Sequence, residues 1–98
     1  MVSRRPSPAR PSRAYRIELK PAAVRELAAL DRRDRGRVGK RIESLAANPR
    51  GRGTEKLKGA DDLWRVRAGD YRIVYAIQDT VLLVLVVRVG HRRDVYRQ

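Results

Sequence analysis

Residues 63–77 read LWRVRAGDYRIVYAI, and residues 81–89 read VLLVLVVRV. The first stretch is two strands joined by Ala68-Gly69-Asp70, a turn short enough to make a hairpin. Successive side chains on a strand point to opposite faces. Leu63, Arg65 and Arg67 therefore share one face, opposite Trp64 and Val66. Arg72, Val74 and Ala76 share a face of the next strand, opposite Tyr71, Ile73, Tyr75 and Ile77. Gln78-Asp79-Thr80 forms a second tight turn into 81–89. That last strand is apolar on both faces, as a central strand covered by helices on one side should be.

Upstream, YRIEL alternates and places Tyr15, Ile17 and Leu19 on one face of a first strand. Pro21 opens a helix, where its missing N–H is harmless. Val24, Leu27, Ala28 and Leu30 give this helix an apolar stripe. LDRRDRG breaks it, and a second helix is expected over roughly 35–47, with Val38, Ile42, Leu45 and Ala46 on one side. Asn48-Pro49 stops it. RGRGTEKLKGADD, glycine-rich and charged, reads as a loop. The expected fold is α+β with the order β-α-α-β-β-β: a helical hairpin packed on one face of a mostly antiparallel four-stranded sheet.

The chain has 98 residues, which fits one small domain. Residues 1–14 hold three of the five prolines and no Ile or Leu. They read as a flexible basic tail, and the folded domain as 15–98. Cysteine is absent, which excludes disulfides and thiol nucleophiles and suits a reducing cytosol. The longest apolar run falls far short of the ~20 residues that span a bilayer, and the N-terminus lacks the apolar core of a signal peptide. Lys plus Arg is 24 against 11 for Asp plus Glu, a formal net charge of +13. Such charge on a short chain calls for a polyanionic partner. Nucleic acid leads, and an acidic protein that masks the charge is compatible. No helix pairs a basic face with exposed large apolar residues, so a membrane surface is not expected.

If the helices cover the Trp64/Val66 and Ile73/Tyr75/Ile77 side, Arg65, Arg67 and Arg72 project together from the open face. Residues two apart on a strand lie ~6.6 Å apart and neighbouring strands ~4.8 Å, a grid on which one RNA strand engages several arginines. Solvated arginines on the polar side of a sheet are the plain alternative. The ending GHRRDVYRQ adds His91, Arg92, Arg93 and Tyr96. Gly90 is expected to turn the chain off the sheet, bringing His91, Arg92 and Tyr96 beside Arg65, Arg67 and Arg72.

NP-R, KLKG, LWRVRAGDYRIVYAI and VGHRRDVYR together resemble the RelE family of bacterial toxins, in the RelE/ParE superfamily, over about 15–97. The resemblance implies a small α+β fold. It also implies an mRNA interferase of a type II toxin–antitoxin system, a metal-independent endoribonuclease that cleaves mRNA in the ribosomal A site. Its partners would be the ribosome, mRNA and a cognate antitoxin, expected from the adjacent gene. Carried over by motif, Arg65 and Arg67 stand for the basic pair of the LWRVR strand, Arg72 for the arginine of YR-VY, Arg92 for the arginine after the glycine, and Tyr96 for the terminal tyrosine. Lys56, Lys58 and Arg93 are expected on the RNA backbone. Some members have lysines where this chain has Arg65 and Arg67.

The chemistry expected is attack of the RNA 2′-OH on the adjacent phosphate, leaving a 2′,3′-cyclic phosphate and a 5′-OH. Arg65, Arg67 and Arg72 suit the phosphate, because a planar fork matches its oxygens. No metal or other cofactor is expected. The proton acceptor stays open. His91 is the one side-chain type here that exchanges protons near neutrality, yet it could equally finish the strand with a hydrogen bond. Arginine is a poor acceptor. Tyr96 could orient the 2′-OH, stack on a base or pack over the sheet edge, and Arg92 suits electrostatic support. The rival readings are a ParE-like inhibitor of DNA gyrase without nuclease activity and a basic nucleic-acid-binding module.

Overall fold

A computed structural model describes residues 14–59 and 62–91. The expected tail lies outside them except for Ala14, and so do Arg92, Arg93 and Tyr96. Strand β1 (Arg16–Leu19) leads into helix α1 (Pro21–Ala28) and helix α2 (Arg32–Ser44). Strands β2 (Thr54–Lys56), β3 (Leu63–Ala68), β4 (Tyr71–Gln78) and β5 (Leu83–His91) follow. The sheet order is β1-β5-β4-β3-β2. β1 runs parallel to β5, and the other three pairings are antiparallel.

The sheet thus has five strands where four were expected. The additional one is β2, which pairs Thr54, Glu55 and Lys56 with Val66, Arg65 and Trp64. Three residues are too few to display an apolar period, and the glycines around them favour a loop reading. β4, not β5, is the middle strand.

Helix α2 begins at Arg32, one turn before the expected start. Asp31 caps it by accepting the Asp34 N–H at 2.9 Å. The apolar stripe starts only at Val38, so periodicity could not see the polar first turn. Its end at Ser44 also precedes the expected 47, with Leu45 as the C-cap. Pro21 opens α1 as expected. One core forms between helices and sheet: Ala23, Val38, Ile42 and Leu45 pack against Val66, Ala68, Ile73, Tyr75, Ile77, Val84, Val86 and Val89. Tyr75 is fully buried and donates its hydroxyl to the Pro49 carbonyl at 2.7 Å. That bond ties the segment after α2 to the middle of the sheet. Burial pushes the Tyr75 hydroxyl up to about 12.

Two details of β5 decide where its side chains point. The turn before it is a short 3₁₀ segment, Asp79–Val81, closed by Leu82 at φ 50°. The strand therefore starts at Leu83 rather than Val81. Farther along, Val74 pairs with Arg88 while Tyr75 pairs with Val86. Val87 is the extra residue of a bulge. An extra residue reverses the alternation beyond it, so every later side chain changes face.

Candidate functional site

Arg67 and Arg72 face each other directly across the β3–β4 hairpin. The turn between them uses Gly69 at φ 64°, a conformation that suits glycine. Arg65 lies two residues along β3, on the same face and opposite Val74. The helices cover the other face, where Val66 and Ile73 are buried. The three predicted arginines are therefore brought together. Arg65, Arg67 and Arg72 line a shallow depression of about 170 Å³ with Gly53, Glu55 and Val66. Like charges placed directly opposite on a sheet are destabilising. The Arg67 Nε–H donates to the Gly69 carbonyl at 3.3 Å, which holds this side chain toward the hairpin turn.

The residue that sequence reasoning missed is Glu55. It stands opposite Arg65, and its Oε1 accepts the Arg65 Nε–H at 3.0 Å and an Nη2–H at 2.7 Å. The depression thus holds a carboxylate as well as guanidinium groups. Strand β2 carries no apolar pattern, so nothing in the sequence singled out Glu55 from the acidic residues of a charged loop. The same pairing moves Lys56. It stands opposite Trp64, so its side chain projects from the face away from Arg65 and does not join the arginines. Lys58 is exposed, in the turn after β2.

The placement expected of His91 is corrected. Gly90 does not turn the chain off the sheet; it lies inside β5, opposite Arg72. Its missing side chain leaves the open face clear beside Arg72. His91 pairs with Tyr71, and their rings meet edge-on at 5.8 Å between centroids and 72°. Tyr71 belongs to the helix face. The bulge at Val87 is the physical reason, because it reverses the alternation on which the expected juxtaposition depended. Burial and then Asp34 raise the Tyr71 hydroxyl above its ordinary value, with smaller effects from Asp31 and Asp70. The imidazole therefore sits beside a ring with acidic neighbours, away from the arginine row.

The end of β5 is held from α1. β1 pairs with β5 only as far as Val86. Beyond it the Glu26 carboxylate takes the place of a strand: Oε1 accepts the Val89 N–H at 2.7 Å and Oε2 accepts the Arg88 Nε–H at 2.9 Å. This contact raises the Arg88 guanidinium above its ordinary value. It also fixes where the segment after His91 starts, near the Arg72 end of the depression.

Among the described residues, no group of three or more His, Cys, Asp or Glu is placed to hold a metal ion. Nor is any described helix long and apolar enough to cross a membrane.

Comparison with known proteins joins this geometry to a lineage. Residues 17–96 match the family described as the ParE toxin of type II toxin–antitoxin systems. A RelE-like toxin protein of Escherichia coli is 31% identical over 86 residues, covering 84% of this chain and 90% of that protein. The toxin–antitoxin complex RelBE2 of Mycobacterium tuberculosis contains a chain that superposes with a TM-score of 0.72 at 28% identity, covering 81% of this chain and 99% of that one. The intact RelBE complex of Escherichia coli gives a TM-score of 0.70 at 29% identity, covering 80% and 96%.

Proposed function

The chain belongs to the ParE toxin family of type II toxin–antitoxin systems, and we propose that it is a ribosome-dependent endoribonuclease that cuts mRNA in the A site. The observation that carries this reading is the Arg67–Arg72 pair with Arg65 beside it. A sheet has no structural use for two directly opposed guanidinium groups. A phosphate that gains negative charge in its transition state does, because fixed cations aimed at that charge are usually the largest catalytic contribution.

In this mechanism the scissile phosphate settles on Arg67 and Arg72, and a nonbridging oxygen competes with Glu55 for Arg65. Glu55, released from its two hydrogen bonds, takes the proton of the 2′-OH. A carboxylate fills this role far better than an arginine. The 2′-oxygen forms its bond to phosphorus as the bond to the 5′-oxygen breaks. The products are a 2′,3′-cyclic phosphate and a 5′-oxygen that leaves hydrogen-bonded to the arginines and takes a proton from water. Arg92 and Tyr96, in the segment that β5 delivers, supply further charge and an aromatic surface for the nucleotide. The ribosome contributes the geometry, since holding the 2′-oxygen in line with the phosphate is worth several orders of magnitude.

The partner that restrains this activity is an antitoxin. The solved relatives are chains of RelBE toxin–antitoxin complexes, and the net charge of +13 suits an acidic wrapping segment. The family description favours a second reading, action on DNA gyrase without RNA cleavage. That reading has no need of the Glu55–Arg65–Arg67–Arg72 set. Mapping mRNA ends on programmed ribosomes separates the two.

A further inference from the structure

Trp64 and Arg65 are neighbours on β3 and so face opposite ways. Arg65 turns to the depression with Glu55. Trp64 turns to the helix face, where it only partly joins the core. There the Arg50 guanidinium lies over the indole, 5.5 Å from its centroid. Asp79 grips the same guanidinium at two points, Nη1 to Oδ1 at 3.1 Å and Nη2 to Oδ2 at 2.9 Å. Tyr15 in turn donates its hydroxyl to Asp79 Oδ1 at 2.6 Å. Lys56 stands opposite Trp64. Arg50, Lys56, Trp64 and Asp79 border a cleft of about 630 Å³, inside the ~300–1,000 Å³ span of small-ligand sites.

The composition of this cleft narrows its ligand. Asp79 already matches the charge of Arg50, which makes Arg50 a weak ligand for a phosphate. What Arg50 retains is a flat guanidinium, fixed on one side by Trp64 and at its edge by Asp79, with the side chain still 43% exposed. Fixed guanidinium planes and aromatic rings are the surfaces on which RNA bases stack. Lys56 offers the one cation in this group without a carboxylate partner among the described residues, at the rim where a sugar–phosphate chain would pass. Only β2, an edge strand of three residues, separates the cleft from the depression.

We propose that the cleft holds an unpaired nucleobase of a single-stranded RNA, stacked on the Arg50 plane with its phosphate on Lys56. The proposal rests on the reading of the protein as acting on RNA. It adds that the same strand bends round β2, from Glu55 on one face to Lys56 on the other. Stacking accepts any base, so the cleft adds affinity without a strict sequence preference.

Trp64 is the only tryptophan of the chain, so its fluorescence reports on this cleft alone. The probe is a 2′-O-methyl tetraribonucleotide, which cannot be cut because the attacking hydroxyl is blocked. Titration at low salt should quench Trp64 saturably. Arg50→Lys keeps a cation for Asp79 but removes the plane, and should weaken the quench roughly fivefold to a hundredfold with the circular dichroism spectrum unchanged. Lys56→Ala, at an exposed position outside the core, should weaken it severalfold and lower its salt dependence. No quench, or a quench indifferent to both substitutions, overturns the proposal. So does a Trp64 signal that answers only to the antitoxin. Cleavage of ribosomal mRNA by the same wild-type preparation, assayed in parallel, shows whether the RNA reading itself stands when the cleft fails.

Discussion

Arg67 and Arg72 stand directly opposite one another across the β3–β4 hairpin, two cations on neighbouring strands of one face. For stability this is the wrong arrangement, and for a transferring phosphate it is the right one. Arg67→Ala and Arg72→Ala should therefore separate stability from activity. Each should leave the urea midpoint unchanged or raise it, since relief of a like-charge pair is worth about 0.2–1 kcal/mol. Each should lower mRNA cleavage on ribosomes by roughly a hundredfold or more, the loss typical of removing one charge-stabilising donor. Parallel losses of stability and activity would assign both arginines to the scaffold.

Glu55→Gln removes the proton acceptor and keeps the side-chain shape. The expected result is a cleavage rate lower by about 10²–10⁴, with RNA affinity unchanged or tighter because a negative charge has left the phosphate site. A binding measurement on a 2′-O-methyl oligonucleotide beside single-turnover cleavage on ribosomes checks both halves. Full activity in the variant would pass the proton to another group.

His91→Ala should do little to catalysis, because the ring lies on the Tyr71 face. Cleavage within a few fold of wild type is expected. Stability should fall by about 0.5–1.5 kcal/mol, the worth of an aromatic edge contact, read from a denaturant midpoint. A hundredfold loss of cleavage with an intact fold would place the imidazole back among the arginines.

The buried Tyr75 makes the fold sensitive to alkali. Its hydroxyl is raised from 10.0 to about 12 in the folded chain. A raised folded value favours the protonated form, so this contribution is fully present below pH 10 and is lost as pH rises from there through about 12. Urea midpoints should be flat to about pH 9.5 and fall steeply beyond it. Tyr75→Phe should lower stability by about 1–3 kcal/mol at neutral pH, since the Pro49 carbonyl loses its buried donor. It should also flatten much of the alkaline slope. Tyr15 and Tyr71, both raised as well, account for the rest of that slope.

How far the sequence can be read depends on which physical signal each residue carries. Alternation in LWRVR and YRIVYAI is strong, and it places Arg65, Arg67 and Arg72 on one face and Val66, Ile73 and Tyr75 in the core. The α+β class comes from element order and hairpin turns alone. Glu55 carries no such signal: a three-residue edge strand shows no period, and its meaning arises from pairing with Arg65 across the sheet. His91 departs from expectation for a different reason. Alternation is a local rule, and the Val87 bulge that breaks it reflects how β5 must fit β4 over its whole length. Lys56 departs together with Glu55, since the strand that turns it toward Trp64 has no sequence signature of its own.

The central claim is that the arginine depression cuts RNA. Its most direct test is to add the purified toxin to ribosomes programmed with a defined mRNA and to map the ends produced. The predicted result is cuts confined to the A-site codon, leaving a 2′,3′-cyclic phosphate and a 5′-OH, and their disappearance with Arg72→Ala. Intact mRNA after exposure to active wild-type toxin, or equal cutting by Arg72→Ala, would contradict it.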